Sequence, residues 1–225
     1  MGMNKLNKKT SGGVKCVIVG DGGVGKTSLL MSYTSGGIMM DYIPTCFDCY
    51  TVDMNVNDAS YSMTLVDTAG QETYDRLRTL SYFDTDVFVV CFNIADTDSF
   101  ENVKTKWIQE LKQYRPDTPF ILVGTQSDKR NIKADDTEHV QGSFIHENLV
   151  PTKCVSASKG KSAARKLGAK QYLECSALKC EGVSEVFKSA LQTAMCPKKR
   201  KQSFLKTCMP AFKFRKFSKN SRVEE

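Results

Sequence analysis

Apolar positions along this chain follow two different periods. Six short runs have strand character: residues 14–19 (VKCVIV), 50–56 (YTVDMNV), 61–66 (YSMTLV), 87–92 (VFVVCF), 120–123 (FILV) and 172–174 (YLE). The runs at 87–92 and 120–123 are continuously apolar, the pattern of parallel strands covered on both faces. Residues 50–56 and 61–66, parted only by Asn57, Asp58, Ala59 and Ser60, predict an antiparallel hairpin. Between strands the period becomes helical. Phe100, Val103, Trp107, Ile108, Leu111 and Tyr114 recur at helical spacing behind the capping stretch 96–99, and Val183, Val186, Phe187, Ala190 and Leu191 mark a last amphipathic helix. Another helix begins at Ser28 and stops at Gly36 and Gly37. Strands alternating with helices predict an α/β fold, a mostly parallel six-stranded sheet with one antiparallel edge hairpin and helices on both faces. Ligands of such sheets bind outside the carboxyl ends of the strands. Gly20, Asp67, Asp128 and Ser176 each follow a strand directly, so their loops are expected to converge on one site.

Residues 20–27 (GDGGVGKT) fit the phosphate-binding pattern G-x-x-x-x-G-K-[ST], between a strand and a helix opening Ser28-Leu29-Leu30. Backbone N–H groups from Asp21 through Ser28, among them those of Gly22, Gly23, Val24 and Gly25, can turn toward phosphate oxygens, helped by the helix N-terminus. Lys26 then reaches the terminal phosphates, and the Thr27 hydroxyl ligates Mg²⁺. A plain glycine-rich turn with a surface lysine is the alternative, and it does not require the matching flanks. Asp67-Thr68-Ala69-Gly70 supplies an acid that holds Mg²⁺ indirectly and a Gly70 N–H for the γ-phosphate. Gln71 has an amide that both donates and accepts, as orienting a water requires. In Thr125-Gln126-Ser127-Asp128 the Asp128 carboxylate can accept from both N1–H and N2–H₂ of guanine, and backbone N–H groups of Ser176 and Ala177 can serve guanine O6. Asp128 therefore favours GTP over ATP and counts against an ATP-using P-loop enzyme.

With 225 residues and 40% apolar content, the chain can bury one sizeable core. Its net charge of +7 is concentrated at one end. From Pro197 onward ten Lys/Arg oppose only Glu224 and Glu225. The expected organisation is a flexible extension at 1–13, a domain at 14–196 and a polybasic tail at 197–225. In the tail Phe204, Phe212, Phe214 and Phe217 alternate with the basic residues, suiting an anionic membrane surface, with Cys208 or Cys196 as palmitate acceptors. A solvated basic tail or a nuclear-import signal at 198–201 is the competing reading. The nine cysteines show no paired framework, which fits a reduced cytosolic setting, and the C-x-x-C at 46–49 lacks the partners of a zinc or redox site. No apolar run reaches the ~20 residues that span a bilayer. The domain is expected to be cytoplasmic, with peripheral attachment to the cytoplasmic face of membranes, the plasma membrane first, and no nucleic acid is expected as a partner.

These motifs together resemble the Ras superfamily of small GTPases and, within it, the Rho/Rac family. The resemblance rests on residues 20–30 (GDGGVGKTSLL), 42–50 (YIPTCFDCY), 67–82 (DTAGQETYDRLRTLSY), 125–128 (TQSD) and 174–178 (ECSAL), and covers residues 14–195. It implies a P-loop G domain that binds GTP/GDP with Mg²⁺, hydrolyses GTP and switches between two forms in signalling and actin cytoskeleton organisation. Catalysis is then expected from Gln71, Lys26 and Thr45, with Thr45 and Thr27 on the metal. The implied partners are guanine nucleotide exchange factors, GTPase-activating proteins and Rho/Rac-type effectors. Effectors would meet a surface on residues 42–50 with Tyr74, Leu77 and Arg78, between switch I and a switch II at 69–82. An inserted segment is expected at 131–154, where His139 and His146 lie without further metal-ligand partners. Four departures stand out. Cys46 and Cys49 replace the usual valine and asparagine, Val66 an exchange-factor-selecting aromatic, and Ile38 the aromatic that packs on guanine. The ending Arg222-Val223-Glu224-Glu225 lacks a prenylation box and argues against binding to a dissociation inhibitor. Ile38 leads to the alternative expectation of a fast-exchanging, mostly GTP-loaded binding module with incidental hydrolysis.

Overall fold

A computed structural model of the chain describes residues 11–36, 47–56, 59–131 and 154–196. Ile38, Thr45, Cys46, the two histidines, most of the expected insert and the whole basic tail lie outside the described residues. Six strands form one sheet in the order β2-β3-β1-β4-β5-β6. They are β1 (Ser11–Val19), β2 (Phe47–Val56), β3 (Ala59–Thr68), β4 (Val87–Asn93), β5 (Phe120–Thr125) and β6 (Tyr172–Glu174). Only β2 and β3 pair antiparallel; every other pairing is parallel. The expected fold class is the one observed. β1 begins at Ser11, earlier than its apolar run suggests, with an irregularity between Ser11 and Val14 where it meets β3. Both hairpin strands also outrun their apolar stretches, because the ladder continues from Val56↔Ala59 to Phe47↔Thr68.

The alternation of side chains along each strand explains why the central runs are wholly apolar. Cys16, Ile18, Val89, Cys91 and Val123 face one side, packing with Leu29 and Leu30 of α1 (Lys26–Ser35) and Phe187 and Leu191 of α6 (Val183–Met195). Val17, Val19, Phe88, Val90, Phe92 and Leu122 face the other, against Phe100, Val103, Trp107, Ile108 and Leu111. Phe88, Phe92, Phe187 and Trp107 are all fully buried, and each such side chain contributes ~1.5–3 kcal/mol.

The helix expected through 100–114 is present but not uniform. It consists of α3 (Thr97–Asn102), a π turn over Val103–Trp107 and α4 (Ile108–Tyr114), and the Ile108 N–H reaches the Val103 carbonyl five residues back. Asp96 caps its start by accepting from the N–H groups of Asp98 and Ser99, as the capping stretch implied. Two helices went unanticipated: α2 (Asp75–Leu80), preceded by a 3₁₀ turn at Glu72–Tyr74, and α5 (Ala157–Leu167). In α5 a glycine sits mid-helix, where Gly160 leaves room for the Tyr172 ring: a Cβ there would lie 2.2 Å from Tyr172 Cζ. No helix among the described residues is long and apolar enough to cross a membrane.

Candidate functional site

β1 delivers its loop at the point where the strand order reverses, with β3 on one side and β4 on the other. There α1 begins. Its N-cap, Gly25, has φ 93°, a conformation glycine adopts without strain, and no side chain caps the first turn. The leading N–H groups of α1 therefore face the loop rather than a cap. Lys26 is 6% exposed and its Nζ donates to the carbonyls of Gly20 and Asp21, both at 2.8 Å. Burial pushes its pKa below the ordinary lysine value, while Asp67 and Asp21 oppose that shift. These bonds hold the ammonium inside the curve of the loop.

The end of β3 closes on this loop from the side. The Thr27 hydroxyl donates to Asp67 Oδ2 at 2.6 Å, and the Thr68 hydroxyl to the Ile18 carbonyl at 2.6 Å. Gly70 packs backbone to backbone with the loop: a Cβ on it would stand 2.4 Å from Asp21 C and Gly22 N. Gln71 consequently lies beside Gly22, whose notional Cβ would meet Gln71 Cγ at an ordinary 3.7 Å. A methyl group at 22 would therefore touch Gln71 without overlapping it.

At the other end a cavity of about 250 Å³ is lined by Gly25, Ser28, Leu29, Thr125, Gln126, Asp128, Lys129, Cys175, Ala177 and Leu178. It falls just under the ~300–1,000 Å³ of whole-ligand clefts, as suits one planar group with the rest of a ligand lying along the open loop. The Thr125 hydroxyl is 2.6 Å from the Val24 carbonyl and 2.9 Å from that of Phe92, and Gln126 Nε2 reaches the Gly23 carbonyl at 3.3 Å. These contacts lash the end of β5 to the phosphate loop. The Ser176 hydroxyl donates to Asp128 Oδ1 at 2.5 Å and accepts from the Lys179 N–H at 3.1 Å. Its own N–H is engaged by the Glu181 carbonyl at 2.9 Å, so of the two backbone donors expected here that of Ser176 is already committed, while Ala177 lines the cavity. Beyond Asp128, Arg130 Nη2 holds Glu174 Oε1 at 2.9 Å, and the Tyr172 hydroxyl donates to the same oxygen at 2.6 Å. Burial, then Glu174, raises the Tyr172 pKa, keeping it a donor.

Sixteen of the expected binding and catalytic residues therefore gather along one edge of the sheet; Thr45 lies outside the described residues. The donor set fits a hard divalent cation carried on phosphates, since a hydroxyl and a carboxylate, Thr27 and Asp67, face one another there. No cluster of three or more His, Cys, Asp or Glu able to hold a metal occurs among the described residues. One expectation is corrected. Arg78 is 2% exposed, because Nε and Nη2 grip the Glu110 carboxylate at 3.0 and 2.7 Å while Nη1 and Nη2 reach the Ala69 carbonyl and Asp75. It has no surface to offer an effector. Leu77, Leu80 and Phe83 are exposed instead. Val66 is buried with Val17, Val19 and Tyr82.

The sequence reading missed Asn102 and Trp107. Both donate to the Asp21 carboxylate, Asn102 Nδ2 to Oδ2 and Trp107 Nε1 to Oδ1, each at 2.7 Å. A buried indole N–H needs an acceptor, and that need was the available signal. The family model described as the Ras family matches residues 15–196. The match starts inside β1 and ends just past α6, so it takes in every element that frames the cavity and the phosphate loop. The chain belongs to the Ras family of small GTPases.

Proposed function

We propose that this small GTPase hydrolyses GTP as a switch of Rho/Rac type, with Gln71 orienting the attacking water. The observation that carries the reading is the backbone contact of Gly70 with Asp21 and Gly22, which sets Gln71 beside the loop where a terminal phosphate would lie. Lys26, held within the loop, presents a positive charge to the β- and γ-phosphates, and the uncapped start of α1 adds N–H donors. Asp128, fixed by Ser176, accepts from the guanine edge, and the Ala177 N–H meets O6. Mg²⁺ would be held by Thr27 and Thr45, with Asp67 behind them, and would neutralise charge on the bridging phosphate oxygens. No described side chain supplies an arginine to the terminal phosphate, so the intrinsic rate is slow and a GTPase-activating protein accelerates it.

Single-turnover hydrolysis with and without such an activator tests the reading. Gln71→Leu should keep GTP affinity and abolish the acceleration; wild-type hydrolysis in that variant would remove Gln71 from the mechanism. The Rho/Rac assignment rests on residues 42–50 and 67–82 and on the long connection after Asp128. Capture of the GTP form by effectors of that class, and not by those of other Ras families, checks it. Ile38 stands where related GTPases carry the aromatic that packs on guanine, and unless Tyr33 or Tyr42 covers the base in its place, exchange is fast. Ile38→Phe should slow release of fluorescent GDP about tenfold, the lower end of what base stacking contributes. The basic tail attaches the protein to the cytoplasmic face of membranes. Vesicle binding should rise with anionic lipid and vanish without residues 197–225.

A further inference from the structure

Asp21 sits where three parts of the site meet. Its carbonyl accepts from Lys26, its backbone abuts Gly70, and its carboxylate is held by the helix that follows β4. That last connection depends on the π turn. In a regular α-helix, side chains five residues apart diverge by roughly 140°. Asn102 and Trp107 are five apart, yet one carboxylate takes a hydrogen bond from each. The wider turn between them, closed by the bond from the Ile108 N–H to the Val103 carbonyl, returns both to one face. The Thr105 hydroxyl donates to the Glu101 carbonyl at 3.1 Å and lies 3.5 Å from Asn102 Oδ1, on the side of the amide away from Asp21 that its NH₂ leaves free.

The same turn also grips the segment that carries Gln71. The Arg78 guanidinium lies 4.6 Å from the centre of the Trp107 ring, and Arg78 Nη1 donates to the carbonyl of Ala69, two residues before Gln71. Lys106 lies 5.2 Å from the same ring centre and pairs with Glu72, the residue after Gln71, at 3.3 Å. Glu110, one turn on, binds Arg78 through both oxygens and accepts from the Tyr82 hydroxyl. Trp107 therefore holds the phosphate loop through its N–H and the Gln71 segment through its ring.

We propose that Asn102 and Trp107, presented together by the π turn, are positioning residues for hydrolysis: they hold the phosphate loop and the Gln71 segment in one register. Neither touches the nucleotide in this arrangement; they act through Asp21 and Arg78. The inference rests on the GTP-hydrolysing reading, and the test separates the two. Trp107→Phe keeps a ring under Arg78, removes the N–H and leaves a small void in the core, whereas Asn102→Ala removes the second donor without one. Each should slow single-turnover GTP hydrolysis about tenfold, the loss of one charge-assisted hydrogen bond, with GDP release changed far less. Asp21→Ala combined with Trp107→Phe should be no slower than Asp21→Ala alone.

Trp107 is the sole tryptophan, so its indole N–H gives one NMR signal, readable without turnover. That signal should be protected from solvent exchange in the wild type and lose protection in Asp21→Ala. Wild-type hydrolysis rates in Trp107→Phe and Asn102→Ala, additive losses in the double variant, or an indole signal indifferent to Asp21→Ala would each overturn the inference while leaving the switch intact. A wild type that binds no GTP would overturn both readings. Should Trp107→Phe fold poorly, Asn102→Ala and the indole measurement decide.

Discussion

The two ends of the nucleotide groove are built from different materials. At the phosphate end the shape belongs to the backbone: carbonyls of Gly20 and Asp21 hold Lys26, α1 starts without a side-chain cap, and Gly70 lies against the loop with no room for a Cβ. At the base end the shape belongs to side chains. Asp128 is aimed by Ser176, and the Thr125 hydroxyl and Gln126 amide tie that end to the first. A backbone-built site is intolerant of added atoms and indifferent to which base follows. A side-chain-built site tolerates atoms but stakes its selectivity on single hydrogen bonds.

The sharpest way to break this contrast is Gly70→Ala. The methyl group would collide with Asp21 and Gly22 backbone atoms that cannot rotate aside, so the loops must part. Hydrolysis should fall about 100-fold, the scale of a misplaced reacting group, and single-turnover rates will show it. Next comes Asp128→Asn at the base end. Hydrogen bonds to a charged group contribute ~1.5–3 kcal/mol, so GTP affinity should drop by about 10- to 150-fold, while XTP, whose C2 carbonyl wants a donor, gains. Equilibrium titration with both nucleotides measures it, and an unchanged ratio would contradict the assignment.

Ser176→Ala removes only the hydroxyl that aims Asp128. A loss of ~1 kcal/mol, about fivefold in GTP affinity, is expected, with hydrolysis of bound GTP unaffected. Were Ser176→Ala as damaging as Asp128→Asn, the base end would be a rigid unit like the phosphate end. The smallest effect is a labelling difference. Cys180 is exposed and should react readily with a thiol reagent at neutral pH. Cys175 on the pocket wall is buried, and burial, with Asp128 and Glu174 adding, pushes its thiol up to about 12, so it should remain unlabelled in the folded protein. Mass spectrometry of the labelled peptides distinguishes them.

The backbone-built end was also the legible one. A phosphate loop needs glycines at fixed offsets, so its pattern is local, and residues 20–27 announced it. Buried parallel strands were equally visible, since residues 87–92 and 120–123 are apolar on both faces. What escaped depended on pairing across distance or on a single extra residue. Nothing in the spacing of Phe100, Val103 and Trp107 separates an α-helix from one with a π turn, because all three are buried either way. Arg78, which the resemblance put on the effector surface, is instead buried because Glu110 of another helix pairs with it. Helix α5 was hidden by Lys159, Lys161, Arg165 and Lys166 and by Gly160, a glycine that weakens local propensity but is required by Tyr172.

The bonds that tie the groove together join residues far apart in the chain: Thr125 and Val24 are 101 positions apart, Ser32 and Ala177 are 145. Contacts of that span require the long loops between them to be closed, so the groove is complete only in the native fold. A nucleotide thus finds no half-made pocket on the way to the native state and binds only the finished protein. By mass action it withdraws that state from the folding equilibrium, adding about 4 kcal/mol when free nucleotide is a thousandfold above its dissociation constant. The resistance of this domain to heat and proteolysis is then set by how much guanine nucleotide surrounds it as well as by its own core.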